Sequence, residues 1–377
     1  MRENNLKLAQ FSTRLPAMSC PARIYPLRKP KNHKLPIPRW RLGLPKETTH
    51  VYTAYIGVQK HSNDQATTQA QKEVTSAIQA WLKGHHGPSA FESFTMIDGS
   101  DVEETSIWVS YWLEESKYRL GLENLSLPSI YASLSSPGRA SIGIWREAFA
   151  TEVPRLETNY SGLDYLPGLA RLPGTSFPEH EFSAYWGAAR DRIPSSAYDL
   201  FAQSTDTVPP TTVPRGIGQY ITGTNTGNIA HIRSGQFWEN CGQEEADAYD
   251  RKLEPTLRSG LEYLWENSPE TGALGLRYLR NQDIDSPDAR PRKETCGAGF
   301  FTSLETLETW AKSHRSHLAI YRGAMAHYKA FGDRRKMRTW HEVSVLRGGD
   351  AKFEYLNCVP KTGVIQGIPL TVEDIEM

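Results

Sequence analysis

Residues 297–346 read GAGFFTSLETLETWAKSHRSHLAIYRGAMAHYKAFGDRRKMRTWHEVSVL, and their periodicity decides how the flanking chain is read. An apolar patch, Gly299-Phe300-Phe301, comes first. Leu304, Leu307 and Trp310 then recur three apart, as on the buried face of a helix. Thr302 with Glu305 has the T-x-x-E form of a capping box that would start it. His314 and His317 lead a second apolar run through Leu318, Ile320, Tyr321 and Met325. Residues three apart share a helix face, so both imidazoles are expected to approach one site. Gly332-Asp333 breaks the pattern. The following Thr339–Val345 predicts a strand with His341, Val343 and Val345 on one face and Glu342 on the other.

Histidines in such apolar surroundings admit two readings. They are hydrogen-bonded core or surface side chains, or they are an iron or zinc ligand with an acid/base nearby. Neutral imidazole ligates metals and titrates near neutrality. Periodicity alone does not choose between these readings.

Upstream, residues 1–48 carry Pro21, Pro26, Pro30, Pro36, Pro38 and Pro45 among many basic residues. They predict an extended arm wrapped over the domain or a neighbouring subunit. Val51–Val58 has strand character. Gln65–Lys83 predicts a helix through Val74, Ile78, Trp81 and Leu82, ended by Gly84-His85-His86-Gly87-Pro88. Phe91–Ile97 and Thr105–Leu113 predict strands joined by a turn at Ser100-Asp101.

Strand, helix, strand, strand is most of a ferredoxin-like unit, and a second set follows. It comprises a strand at Ile142–Phe149, a helix at Glu179–Arg190, a loop over 205–227 and a strand at Asn228–Arg233. A long helix over Glu244–Glu266 should kink or split at Pro255. Residues 282–296 predict a charged surface loop, Phe353–Val359 another strand, and 361–377 an acidic tail with little order. The expected fold is therefore α+β. Two ferredoxin-like halves, about 49–150 and 151–360, would pack sheet against sheet in one domain spanning 49–360.

Acidic and basic residues balance at 43 each, so nucleic acid and anionic membranes are not expected partners. No run of eighteen apolar residues predicts a membrane span, and no secretory signal is expected. Four cysteines without CxxC spacing suit reduced thiols in a cytoplasmic protein. The absence of C-x-x-C-H means that any heme would be bound non-covalently. Ten tryptophans and seventeen tyrosines suit a pocket walled with flat apolar surface, or equally a large aromatic core.

Four motifs, in order, are Y-W-G-A-A-R-D-R-I-P at 185–194, H-I-R-S-G-Q-F-W at 231–238, W-A-K-S-H-R-S-H-L-A-I-Y at 310–321 and W-H-E-V-S-V-L at 340–346. Together they resemble the heme-containing aldoxime dehydratases of the phenylacetaldoxime dehydratase type, from about residue 50 to about residue 350. The resemblance implies a lyase that converts R–CH=N–OH to a nitrile and water on ferrous heme b, with the same double ferredoxin-like architecture, a barrel-like sheet sandwich flanked by helices with heme in its core, in a homodimer. It implies His317 as the proximal ligand, with His314 as the alternative, and His341 as the distal acid and base.

A ligating His317 should donate its other ring nitrogen to a carbonyl or carboxylate. The resemblance also implies Glu157 of P-R-L-E-T-N-Y as partner of His341, and Ser234 as hydrogen-bond donor to the oxime hydroxyl. Taken alone, Glu157 reads equally as an exposed acid and Ser234-Gly235 as a turn. Arg192 is the cation expected at the same oxygen, leaving Arg190 for the surface or a heme propionate. Arg315, Ser316 and Phe237 depart from the family pattern at positions that bear on pocket shape. Competing readings are a heme peroxidase or dismutase on a related scaffold, a zinc hydrolase using His314, His317 and His341, and a heme carrier without turnover.

Overall fold

The computed structural model describes residues 23–204, 210, 212–283 and 291–376. Its strands are β1 (His50–Lys60), β2 (Ala90–Gly99), β3 (Ser106–Trp112), β4 (Ile142–Glu152), β5 (Leu156–Tyr160), β6 (Gln219–Thr224), β7 (Ala230–Phe237), β8 (Ala273–Gln282), β9 (Pro291–Phe301), β10 (Arg338–Val345), β11 (Ala351–Leu356) and β12 (Thr371–Asp374). The α-helices are α1 (Gln65–Leu82), α2 (Glu115–Asn124), α3 (Leu127–Ser133), α4 (Ser136–Ser141), α5 (Ala188–Arg192), α6 (Gln243–Ala248), α7 (Glu254–Glu266), α8 (Ser268–Thr271), α9 (Leu304–Ser313) and α10 (Arg315–Phe331).

All described strands join one antiparallel sheet in the order β12-β6-β11-β4-β1-β3-β2-β8-β9-β7-β10-β5. Two stretches share one plan. The first runs β1, α1, β2, β3, the helices α2–α4 and β4, and it pairs as β4-β1-β3-β2. The second runs β7, the helices α6 and α7, β8, β9, the helices α9 and α10 and β10, and it pairs as β8-β9-β7-β10. They meet edge to edge at β2 and β8, with a register shift between Met96 and Asp98.

The sheet does not stay flat. Six strand spacings separate β4 from β7, about 29 Å in a flat sheet. Yet the rings of Phe149 on β4 and His231 on β7 are 4.7 Å apart. The sheet therefore curls until the inner faces of both stretches meet, burying Tyr55, Phe149, Phe300 and Phe353 in one core. Helices cover the two outer faces. Val74, Ile78 and Trp81 of α1 pack on Ile56 and Ile144. Leu261 and Leu264 of α7, with Leu304 and Leu307 of α9, pack on Leu276, Phe301 and Val343.

Several expectations shift. The helix expected at 179–190 shrinks to α5, because the arm captures the preceding backbone instead. Arg41 N donates to Pro178 O at 3.0 Å, and His180 N donates to Arg39 O at 3.0 Å. Ala184 and Gly187 also take positive φ, which an α-helix does not accommodate. The helix over 244–266 splits into α6 and α7 around a π-turn at Tyr249–Leu253, just ahead of Pro255. This matches the missing N–H of proline.

The loop expected at 205–227 contains β6, and that at 282–296 contains the start of β9; residues 205–209, 211 and 284–290 lie outside the described set. Tail residues 371–374 form β12 against β6 rather than lacking order. The start of α9 is capped one residue later than expected, by Ser303 and Thr306. Of the proline-rich arm, residues 1–22 lie outside the described set, and the rest runs extended over the domain.

Candidate active site

A cavity of about 1130 Å³ lies between the outer face of β7, β9 and β10 and the helices α7, α9 and α10, with arm residues 28–39 along its side. That volume is at the upper end of what small-molecule sites reach. The cavity is thus in the helix-covered layer, not in the core between the curled inner faces. Leu257, Leu261, Leu264, Leu304 and Leu307 give it an apolar wall. Three histidines line it: His33 of the arm, whose Nε2 donates to the Ser183 carbonyl at 2.7 Å, and His317 and His341, which enter from different elements.

Strand register builds the polar wall. His341 on β10 sits opposite Ser234 on β7 and opposite Asn159 on β5, so the three side chains share the cavity face. Ser234-Gly235 is mid-strand rather than a turn. A side chain at residue 235 would strike the Trp340 ring, 2.3 Å from an ideal Cβ, so glycine is what lets β7 and β10 approach here.

Glu157 reaches the same face two residues before Asn159. Its Oε2 accepts from His341 Nδ1 at 2.9 Å, and its Oε1 accepts from Arg192 Nε. Burial pushes the Glu157 carboxyl up, but Arg192 and then His341 outweigh it, so its pKa lies below the ordinary value. With Nδ1–H committed to Glu157, the neutral tautomer of His341 presents a lone pair at Nε2. Arg192 Nη2 at 3.3 Å and Asn159 Nδ2 at 3.2 Å both donate to that atom. His180 Nε2 donates to Asn159 Oδ1 at 3.1 Å and orients the amide. Glu342 points the other way, into the inner core, where it accepts from Leu169 N at 2.8 Å.

On the other side, His317 stands in the first turn of α10 with its ring edge-on to Trp310 at 4.7 Å and Trp186 at 5.9 Å. Its Nδ1 is buried without a well-formed hydrogen bond among the described residues. The Ala311 carbonyl stands beside the ring as the kind of acceptor expected, though not in well-formed geometry. Burial, opposed by the Ala311 carbonyl, pulls the imidazole pKa down to about 4, which keeps it in the neutral, ligating form.

His314 does not share this face. It lies between α9 and α10 in extended conformation and caps α10 by accepting from Ser316 N. Its ring stacks on Tyr263 at 3.8 Å, outside the cavity lining. It therefore does not share the cavity with His317, contrary to what spacing alone suggests. A three-histidine zinc site does not form either, and no group of three potential metal-ligating side chains assembles among the described residues.

Arg190 is neither at the surface nor in the cavity wall. It is buried against Glu308, with Nη2 to Oε2 at 2.7 Å. Asn159 and His180 are the members of the site that motif reading passed over. The alternation of Glu157-Thr158-Asn159 along a strand was the available signal for Asn159; nothing local marks His180.

These residues suit a porphyrin. The cavity has leucines on one wall, a neutral imidazole in its lining at His317, and a second imidazole, His341, held by Glu157. The family model for haem-containing dehydratases matches residues 54–364. The aliphatic aldoxime dehydratase of Pseudomonas chlororaphis is 30% identical over 351 residues, covering 93% of this chain and 96% of that protein. The phenylacetaldoxime dehydratase of Bacillus sp. (strain OxB-1) is 30% identical over 344 residues, covering 91% and 95%. A crystal structure of an aldoxime dehydratase in complex with butyraldoxime superposes with a TM-score of 0.79 at 30% identity, covering 92% of this chain and 94% of that one. Matched over most of its length in sequence and in fold, the chain belongs to the haem-containing dehydratase family.

Proposed function

We propose that the cavity dehydrates aldoximes, R–CH=N–OH, to nitriles and water, with His317 holding heme b and His341 moving the protons. The chain is an aldoxime dehydratase by its family and relatives, and heme is its cofactor. The observation that carries the assignment of roles is the contrast between two imidazoles in one cavity. His317 is held neutral by burial with only a backbone carbonyl, that of Ala311, beside it, whereas His341 is clamped through Nδ1 by a buried carboxylate. Bound on His317, ferrous heme supplies an electron-rich Lewis acid for the oxime nitrogen.

The protein does the rest. Ser234 donates to the oxime oxygen and fixes which end of the substrate faces His341. His341 enters the step as the imidazolium, its Nδ1–H held by Glu157, and delivers its Nε2 proton to that oxygen as the N–O bond breaks and water leaves. The same nitrogen then takes the proton from the oxime carbon as the nitrile forms, so His341 ends as it began. Glu157 balances the imidazolium stage through Nδ1, and Arg192 offsets negative charge on the departing oxygen. The leucine wall excludes bulk water from the reacting group.

The two βαββαβ stretches, with strand orders β4-β1-β3-β2 and β8-β9-β7-β10, support ferredoxin-like halves. A two-fold homodimer is the assembly proposed, the commonest closed oligomer. The unpaired state of Cys241, Cys296 and Cys358 supports a reducing, cytoplasmic setting. No described helix is long and apolar enough to cross a membrane.

The purified protein, reconstituted with heme and reduced with dithionite, should show a heme absorption spectrum and convert an aldoxime to its nitrile. His317→Ala should remove the bound heme. A His317→Ala protein that retains a full complement of heme places the ligand elsewhere.

A further inference from the structure

The cations among the described cavity-lining residues, leaving histidines aside, are Arg28, Arg39, Arg192 and Lys312. Arg192 is tied to Glu157, Arg28 pairs with Glu308 at 3.1 Å, and Lys312 stands in solvent. Arg39 is different. It is half-buried, its hydrogen bond goes to the neighbouring Pro38 carbonyl at 3.3 Å, and no carboxylate among the described residues pairs with it. Burial, then the charges of Arg335 and Arg192, pull its pKa down to about 10. Arg335 has no carboxylate ion pair either and donates to Ser161 Oγ at 3.1 Å. Arg192 is offset by Glu157 and Arg335 in part by Glu245, which leaves Arg39 as the guanidinium here without a carboxylate of its own among the described residues.

Register says where this charge points. Trp40 pairs with Tyr160 of β5 through Trp40 N to Tyr160 O at 3.0 Å and Tyr160 N to Trp40 O at 2.8 Å. Trp40 packs on the inner core, so Arg39 next to it turns to the opposite face. That face carries Asn159, Ser234 and His341. Thr339, two residues before His341 on β10, and Gln236 across from it make this end of the cavity polar, in contrast to the leucine wall under α7. A substrate whose N–OH is held at Ser234 and His341 can extend its tail along this polar side toward an unpaired guanidinium.

We propose that Arg39 is a specificity-determining residue that receives a carboxylate at the end of the aldoxime remote from the N–OH. This rests on the dehydratase reading above and narrows it to aldoximes with an anionic tail. Arginine suits the role because its planar fork takes a carboxylate in two parallel hydrogen bonds.

The test uses heme-loaded protein and a series of carboxy-terminated aldoximes of increasing chain length, each paired with its methyl-terminated isostere. Binding is read from the shift of the ferrous Soret band and turnover from nitrile release. For at least one chain length the carboxylate should be favoured roughly tenfold or more in Kd and in kcat/KM. Arg39→Leu should bring the two constants together, and Arg39→Lys should restore part of the gap.

Equal affinity for both members at every length overturns the proposal. So does an Arg39→Leu protein that loses its heme, because the guanidinium would then be serving a heme carboxylate. Failure to turn over any aldoxime sinks the dehydratase reading alone, since the Kd ratio still decides whether Arg39 takes the carboxylate.

Discussion

His341 and Glu157 form a unit in which neither side chain works without the other. The buried carboxylate is ionised because Arg192 and His341 flank it, and the imidazole turns Nε2 to the cavity because the carboxylate accepts the hydrogen bond from Nδ1. His341→Ala should therefore keep heme while kcat falls by roughly 100-fold or more, the usual share of a general acid/base. Unchanged kcat would remove it from the mechanism. Glu157→Gln keeps the shape but loses the charge, and it also leaves the Arg192 guanidinium, 4% exposed, without its counterion. Its kcat should fall by a similar factor, with heme absorbance retained as the measured control.

The members of this cavity were legible to different degrees. His317, His341 and Ser234 each sit in a compact local motif, so sequence could point to them. His314 was misplaced because spacing of three implies a shared face only inside one helix, and the chain turns at residue 314. The orientation of Asn159 by His180 depends on two segments that meet only through the fold.

At the scale of elements, the site is set by register between β5, β10 and β7. Gly235 is the residue that allows the closest approach, with the Trp340 indole filling the space of a side chain. Gly235→Ala should push β7 from β10 and cost about 1–3 kcal/mol, the range for overpacking a core. A lower thermal midpoint together with reduced kcat would be the signature, since Ser234 and His341 are the flanking residues. An unchanged midpoint would mean that the indole moves freely.

Strands rich in β-branched and aromatic residues between firm breakers, β1 to β4, β7 and β10, were readable in the sequence. β8 was not, because its run ALGLRYLRNQ buries both faces with Ala, Leu and Arg, residues that favour a helix, in place of the β-branched residues of β1. β9 was hidden by the charged, proline-containing start of its run. The helix expected at 179–190 failed for another reason. Its apolar spacing is real, but main-chain hydrogen bonds to the arm compete with helix formation, and an arm more than a hundred residues away leaves no trace in a local pattern.

For the molecule as a whole, the seam between the two βαββαβ stretches holds its least conventional core. Glu92 on β2, Glu294 on β9 and Glu342 on β10 are all buried around Arg233 on β7. Arg233 pairs with Glu92 at 2.7 Å, and its guanidinium faces Trp340 at 4.6 Å and Phe94 at 5.0 Å. One guanidinium balances one carboxylate. Burial accordingly pushes the Glu342 carboxyl up to about 7 and that of Glu294 up to about 8.

A carboxyl with a raised folded-state pKa binds its proton more tightly when folded than when unfolded. Its protonated form is compatible with the fold at low pH, and stability is lost as pH rises from the ordinary carboxyl value through about 7 to 8. The heme-loaded protein should therefore lose thermal midpoint between about pH 5 and about pH 8. Glu294→Gln combined with Glu342→Gln should flatten that slope by supplying permanently neutral groups of the same shape. Glu157 lies on the opposite branch, its depressed pKa bearing only on stability below the ordinary carboxyl range. Scanning calorimetry of both proteins across that pH range checks the argument. An equally steep slope in the double variant would mean that the seam is not where the protons are held.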